Sequence, residues 1–505
     1  MDTKSLLQDA RAESLPERLG FQTKTGKQQF LQTLQKPLDT HIDHLRDKQK
    51  TVLAYRNLSS KRHRHHEELF QKLQELEPAL ETFLDPKSLE KESMEQVLFS
   101  KYVHTKLFNT VPFLLAFVSL WKQYLVPALA VCMPLFFFFL PYLTMKFIYR
   151  LPIKFNEYIH IFCLTLGIPS DPSKLDMRQS AQMIFTCISL GQSIYQPIQT
   201  SYHIQTIDND ILEKADALLE LKTIFETLYP TKTYLFEGFD TQDKRRSFAI
   251  GWDLPYRVSI ALTLLGEFEV IHRLALAPGL RIVEYNEAHH VQMKDLVDPL
   301  LENSKPISFF FTPRKHHSVL TGPNGGGKST ALRCILVNLI FAQRFGLYFG
   351  TPESSCKLHP FDWIQSGLHL EDSPGEYSLF EREVQFAASA LHRDRANSGK
   401  RGLLLFDELF HSTNPPDGER TATFFLQQVW ASDSLSSIIS THVFSLAESS
   451  PSHIQRLCVP AEKLQEGRLR FHYSLQPGIC RVSSVDIVLQ KCGFFPPGKP
   501  EKEKE

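Results

Sequence analysis

Net charge is the first thing this sequence lacks. Its 56 Lys and Arg balance 56 Asp and Glu, so no field of one sign covers the whole chain to concentrate a polyanion such as DNA. A local basic face stays open. The eight cysteines (132, 163, 187, 334, 356, 458, 480 and 492) include no C-x-x-C pair, which argues against both a zinc site and a disulfide scaffold and fits a reducing compartment. The opening "MDTKSLLQDARAESLPERLG" mixes both charge signs without an apolar stretch, so it does not read as a secretory signal. Any membrane targeting has to come from inside the chain.

Charge is also missing from "LVPALAVCMPLFFFFLPYLTM", residues 125–145. At about 1.5 Å per residue such a helix crosses a hydrocarbon core of roughly 30 Å. A shorter apolar run, "LFNTVPFLLAFVSLW" at 107–121, precedes it. Together they predict a helical hairpin over 107–148, with Lys122 at its tip and Trp121 and Tyr124 at one interface. Lys101, Lys106, Lys146 and Arg150 flank the open end, so the positive-inside rule places both flanking regions in the cytoplasm. The competing reading is a buried helix in a large all-α core. Pro112, Pro127, Pro134 and Pro141 weaken a straight span, although Pro is tolerated where neighbours satisfy the freed carbonyls.

From Thr23 to about Leu98, apolar residues recur at helical spacing, as in Leu69, Phe70, Leu73, Leu76 and Leu80. The cluster "KRHRHHEE" at 61–68 could touch phosphates, but a mixed-charge stretch on a helix is more often a solvated face. Residues 155–280 are again mostly helical, interrupted by "YPTKTYLFEGFDTQDKRRS". After Arg281, short apolar runs ("HHSVLTG", "GLLLFDE", "LSSIISTH") alternate with helices, which predicts buried parallel strands in an α/β domain. The tail "PPGKPEKEKE" has a disorder-prone composition.

Chemistry concentrates in that α/β domain. "SVLTGPNGGGKSTALRCIL" reads as a strand, then Gly322-x-x-x-x-Gly327-Lys328-Ser329, then a helix. Glycines let backbone N–H groups wrap phosphates, Lys328 neutralises β/γ charge, and the Ser329 hydroxyl suits Mg²⁺. A second strand end, "GLLLFDE", carries Asp407 for the metal and Glu408 for the attacking water. A third, "SSIISTH", ends in His442, suited to a γ-phosphate or its attacking water.

These residues carry a family resemblance. "TGPNGGGKST" resembles the TGPN-x-GGKST loop of the MutS mismatch-repair ATPases, and "DELFHSTNPPDG" resembles their DEL-x-x-x-T-x-x-x-DG segment. "STH" is similar to their switch-histidine motif, "YSLFEREVQ" to S-T-F-x-x-E, and "LQPGICRVSSVDIVLQKCGFFP" to a strand and helix near the end of their ATPase domain. More loosely, "TKTGKQQFLQTLQKPLDTHIDHLRDKQKTV" resembles the entry to their helical core, and "LGEFEVIHRLA" the helix that closes it.

The resemblance implies a multidomain chain: a mostly α-helical core, here with a transmembrane hairpin, followed by an α/β P-loop NTPase domain. Its divisions would be an N-terminal segment (1–19), core-like helices (20–106), the apolar hairpin (107–148), further core-like helices (149–280), the ATPase domain (281–495) and a tail (496–505). ATP and Mg²⁺ are the implied cofactors. Gly322, Pro323, Asn324, Gly325, Gly326, Gly327, Lys328, Ser329 and Thr330 would hold the nucleotide, with Asn324 and Lys328 at the γ-phosphate. Ser329 and Asp407 would serve Mg²⁺, and Glu408, His442 and Asn324 would carry catalysis. Ser378 would reach the nucleotide of a partner in a head-to-tail dimer with itself or a related subunit.

The sequence also departs from the family pattern. The helical core begins near Thr23 without the amino-terminal Phe-x-Glu motif, so mismatch recognition in the usual way is not expected. Phe410, His411 and Ser412 replace a glycine-arginine element after Glu408, and the helical dimerisation extension is missing. The apolar hairpin lies where the family projects its levers and DNA clamp. Three readings follow: a membrane-anchored ATPase with its ATPase domain on the cytoplasmic side; a soluble cytoplasmic or nuclear protein of DNA repair or recombination; and a non-hydrolytic, ATP-gated assembly module.

Overall fold

A computed structural model describes residues 3–94, 96–99, 108–109, 111–165, 177–288, 290–369, 378–464, 469–482 and 489. The flanking Lys101 and Lys106, the segment 483–488 that carries part of the family-like C-terminal motif, and the tail all lie outside them. By internal contacts the chain forms two compact units, Met1–Phe70 with Gly266–Glu505, and Gln71–Leu265.

The helices run in order α1 (Thr3–Asp9), α2 (Leu15–Arg18), α3 (Lys24–Gln35), α4 (Ile42–Arg56), α5 (Ser60–Leu84), α6 (Ser88–Met94), α7 (Pro112–Leu120), α8 (Val126–Leu143), α9 (Phe155–Thr165), α10 (Met177–Leu228), α11 (Lys244–Asp253) and α12 (Pro255–Leu276). In the first unit, Thr23 caps α3 by accepting the Gly26 N–H at 2.8 Å. Gly26 must be glycine because a Cβ would stand 2.0 Å from Glu269 Oε2. Glu269 is fully buried, accepts from the Gln22 N–H at 2.8 Å and the Thr23 hydroxyl at 2.5 Å, and pairs with Arg273 at 3.4 Å. The core-entry and core-closing segments thus meet through Thr23, Gly26, Gly266 and Glu269, a Cβ on Gly266 falling 2.8 Å from Gln29 and 3.0 Å from Thr25 of α3.

The "KRHRHHEE" cluster turns inward in part. Tyr55 Oη lies 2.5 Å from His66 Nδ1 and 2.7 Å from His272 Nδ1, and Glu67 takes His272 Nε2 at 2.8 Å. Burial pushes His272 down to about 4, so this ring is neutral at pH 7 and packs as structure.

In the second unit the apolar segment departs from the hairpin expectation. No turn forms at Lys122; residues Phe113–Ile148 are one continuous helix. A π-type turn at Trp121–Leu125 bridges α7 and α8, with the Val126 N–H bonded to the Trp121 carbonyl. Pro127 has no N–H for the Gln123 carbonyl one turn earlier, and Ser201 Oγ of α10 donates to that carbonyl at 2.5 Å. An outside hydroxyl therefore repairs the proline break without a reversal. Nor is the segment a core helix, since none of its most apolar window is buried. Phe137 is 62% exposed and Ile148 73%.

The α/β part of the first unit contains, among the described residues, strands β1 (Leu280–Ile282), β2 (Glu284–Tyr285), β3 (Val291–Leu296), β4 (Ile307–Phe311), β5 (His317–Thr321), β6 (Leu347–Leu358), β7 (Trp363–Gly367), β8 (Gly402–Phe406), β9 (Leu435–Ser440), β10 (Gln455–Cys458), β11 (Ala461–Lys463), β12 (Leu469–Phe471) and β13 (Gln476–Pro477). One sheet has the order β1-β6-β3-β4, with β2 also on β6; the other runs β13-β10-β5-β9-β8-β7. In the second sheet β10, β5, β9, β8 and β7 are parallel. Strands β5, β7, β8 and β9 are buried throughout, as continuous apolar runs in a parallel sheet require. Helices α13 (Lys328–Phe345), α14 (Leu379–Ala396), α15 (Pro415–Trp430) and α16 (Phe444–Glu448) complete the unit.

Candidate active site

The glycine-rich loop leaves β5 and enters α13, the order expected from sequence. Gly325 and Gly327 have φ of +77° and +100°, a region open to glycine at little cost. Gly327 also sits where a Cβ would come within 3.2 Å of Tyr473 Cδ1. Lys328 is the first residue of α13 and is buried. Its Nζ donates to the carbonyls of Gly322 at 3.1 Å and Pro323 at 3.3 Å. Burial lowers its pKa, while the charges of Glu408 and Asp407 act in the opposite sense.

A cavity of about 550 Å³ opens over this loop, lined by Asn324, Gly325, Gly327, Lys328, Ser329 and Thr330 and by Glu408. Asn324 and Ser329 are exposed to it. Its far wall is the segment before β4, from Asp298 to Ile307, with Tyr473 and Ser474. Arg333 of α13 locks that wall through a buried pair with Asp298, at 2.7 and 3.1 Å.

The acidic pair stands at the end of β8, one strand removed from β5. Strand β9 lies between β5 and β8, so one end of the parallel strands presents the loop, His442 and Asp407–Glu408 side by side. Glu408 adopts φ +51°, a strained conformation for a residue with a side chain and one concentrated at functional sites. His442 Nε2 donates to Glu408 Oε1 at 2.8 Å. That bond is the main reason the Glu408 carboxyl is held below its usual range.

Ser440, not singled out from sequence as a site residue, joins these groups. Its hydroxyl donates to Asp407 Oδ1 and accepts the Glu408 N–H at 2.8 Å. Glu383, in the segment resembling S-T-F-x-x-E, is buried and holds Ser412 Oγ at 2.6 Å and His411 Nδ1 at 2.9 Å. His411 Nδ1 also lies 2.9 Å from the Glu408 carbonyl. The residues that replace the family's glycine-arginine element are therefore tied to Glu383, whose own pKa is raised by burial.

Of the expected site residues, Asn324, Gly325, Gly327, Lys328, Ser329, Thr330 and Glu408 line the cavity, and Asp407 and His442 stand behind Glu408 through Ser440 and a direct bond. Gly322 and Pro323 offer carbonyls to Lys328, and Gly326 donates its N–H to the Pro323 carbonyl at 3.0 Å. Ser378 does not reach the cavity of its own chain; it is the N-cap of α14, in a capping box with Glu381.

Residues 318–497 match the family model described as MutS domain V. A protein named DNA mismatch repair protein MutS from Streptococcus sanguinis (strain SK36) is 28% identical over 177 residues, 34% of this chain and 20% of that protein. One of the same name from Streptococcus pneumoniae serotype 19F (strain G54) is 31% identical over 163 residues, 32% of this chain and 18% of that protein. The chain spans about a fifth of the length of these curated relatives. With Lys328, Glu408 and His442 at the same end of the parallel strands inside the matched residues, the C-terminal part of the chain is similar to MutS domain V.

Proposed function

We propose that the chain binds and hydrolyses ATP, and that nucleotide-dependent head-to-tail dimerisation drives a protein held at a membrane by the Phe113–Ile148 helix. One observation carries the nucleotide part: a cavity of about 550 Å³ between the loop of Lys328 and the His442-bonded carboxylate of Glu408. In this reading the triphosphate takes over the Lys328 ammonium from the Gly322 and Pro323 carbonyls. The exposed end of α13 adds its N–H groups.

Mg²⁺ prefers hard oxygen donors and keeps much of its water. The Ser329 hydroxyl and Asp407 carboxylate suit it, and no cluster of three or more His, Cys, Asp or Glu among the described residues forms a dedicated metal cage. Mg²⁺ would neutralise phosphate charge. Glu408, ionised and oriented by His442, would accept the proton of the attacking water. Ser378, exposed at the start of α14, is free to face the nucleotide of a second chain, with Phe380 and Glu383 supporting it.

Phosphate release from MgATP tests this. Glu408→Gln is expected to keep nucleotide binding and lose roughly 10²-fold or more in turnover, the scale of a general base, whereas Lys328→Ala loses binding. Wild-type turnover that survives Glu408→Gln overturns the reading. A wild-type chain that binds ATP without turnover is instead the ATP-gated assembly module. The names of the two relatives favour a second reading, action on DNA; it predicts DNA-stimulated hydrolysis that weakens steeply with salt.

A further inference from the structure

The Phe113–Ile148 helix does not stand alone. Helix α10 runs beside it in the same unit, and its sequence has no Asp, Glu, Lys or Arg from residue 179 to 207. Such a stretch would cover roughly 40 Å as a helix. It is not an ordinary amphipathic surface helix. Met183, Ile184, Phe185, Ile188 and Leu190 are all exposed, Phe185 by 73%. Three of its hydroxyls are satisfied by its own backbone: Ser193 donates to the Leu190 carbonyl at 2.8 Å, Thr200 to Gln196 at 2.9 Å and Thr206 to Tyr202 at 3.0 Å. This is how hydroxyls are accommodated on a helix in an apolar medium.

The register between the two helices makes the case specific. The Ser201–Gln123 bond pins them together, and they run antiparallel, because Asn109 just before the apolar helix holds Asp253 of α11 at 2.8 Å while α11 packs on the 208–218 part of α10 through Arg245–Asp208 and Gly251 against Leu218. Counting outward from that bond, Gln179 on α10 and Met145 on the apolar helix lie equally far along, at roughly 33 Å for about 22 residues. That is the thickness of a hydrocarbon core. The next residues outward are Arg178 and Lys146, so both helices regain charge at one level. Aromatics mark both levels: Trp121, Tyr124 and Tyr202 near the pin, and Tyr142 and Tyr149 at the far end. Tyr and Trp favour such positions at a bilayer interface.

We propose that residues 179–201 of α10 lie in the same bilayer as α8, so that the membrane element is an antiparallel two-helix pair with Lys146 and Arg178 at the phosphates of the far leaflet. The occupant of the exposed apolar face is lipid hydrocarbon. The pair replaces the hairpin within 107–148 and brings a helix whose mean hydropathy alone would not mark it as membrane-spanning. This inference rests on the membrane reading of the Phe113–Ile148 helix.

Native thiols report on it. Cys132 of α8 and Cys187 of α10 are both exposed on the protein, and each falls well inside the roughly 33 Å slab. The wild-type full chain in vesicles of phosphatidylcholine and phosphatidylglycerol is treated with a membrane-impermeant maleimide, and labelling at each cysteine is read by peptide mass spectrometry. The same reaction in dodecyl sulfate gives the unprotected rate. A Glu213→Cys variant, at an exposed site beyond the uncharged stretch, is the accessible control. Both Cys132 and Cys187 are expected to label at least about tenfold more slowly in vesicles, because a hydrocarbon surrounding excludes the charged reagent. Labelling of Cys187 with Cys132 protected overturns the two-helix proposal and leaves the single helix standing. Full labelling of both overturns the membrane reading itself.

Discussion

Glu408 is an acid whose environment favours its ionised form. The His442 bond outweighs the opposing effect of partial burial, and its carboxyl is lowered. A depressed carboxylate contributes stability above its unfolded pKa and loses it as pH falls through the folded one. The same sign governs chemistry. His442→Ala removes the main lowering cause, so the acid limb of the kcat/KM–pH profile is expected to move to higher pH; an unmoved limb contradicts His442 as the residue that sets Glu408. Most of this was legible in the sequence, because Asp407, Glu408 and His442 each follow a short apolar run at a strand end and Lys328 closes the glycine-rich loop that follows another. Ser440 was passed over, although it lies in "STH", since a serine inside a buried strand gives no sign that its hydroxyl joins two acidic neighbours. Glu383 stood in a recognised motif, but its grip on His411 and Ser412 depends on a fold-back of residues far apart in sequence.

Local elements carry the site through two constraints that sequence shows only in part. Gly327 combines φ +100° with a close approach to Tyr473. Gly327→Ala is therefore expected to cost at least about 1 kcal/mol and to weaken nucleotide binding, measured by thermal melts with and without MgATP. The Asp298–Arg333 pair is buried at both ends. Asp298→Ala leaves an uncompensated guanidinium and is expected to destabilise by about 3–5 kcal/mol in denaturant unfolding. Glycine spacing announced the first constraint; the second joins residues separated by two strands and the glycine-rich loop and leaves no pattern. The apolar segment shows the opposite limit. Its length and lack of charge were plain, yet periodicity cannot tell a turn from a helix that continues past a proline, and the deciding atom, Ser201 Oγ, lies on α10.

At the scale of the molecule, the first helix belongs with a strand more than 350 residues further along the chain. Asp9 is buried and accepts from Ser366 Oγ at 2.6 Å and from the N–H groups of Leu368 at 3.0 Å and His369 at 3.1 Å, which anchors α1 to the end of β7. No local pattern announces such a contact, because only the folded sheet creates the acceptor's partners. The second unit carries the apolar helix, none of whose most apolar window is buried, and an apolar face of that kind marks a protein or membrane contact. We propose an ATPase domain held at a bilayer by that helix. Alkaline carbonate extraction of membranes from cells making the full chain tests this most directly, with a chain lacking residues 107–148 alongside. The full chain is expected to stay in the membrane pellet and the shortened chain to be released or to lose most of its retention. Release of the full chain into the supernatant contradicts membrane integration.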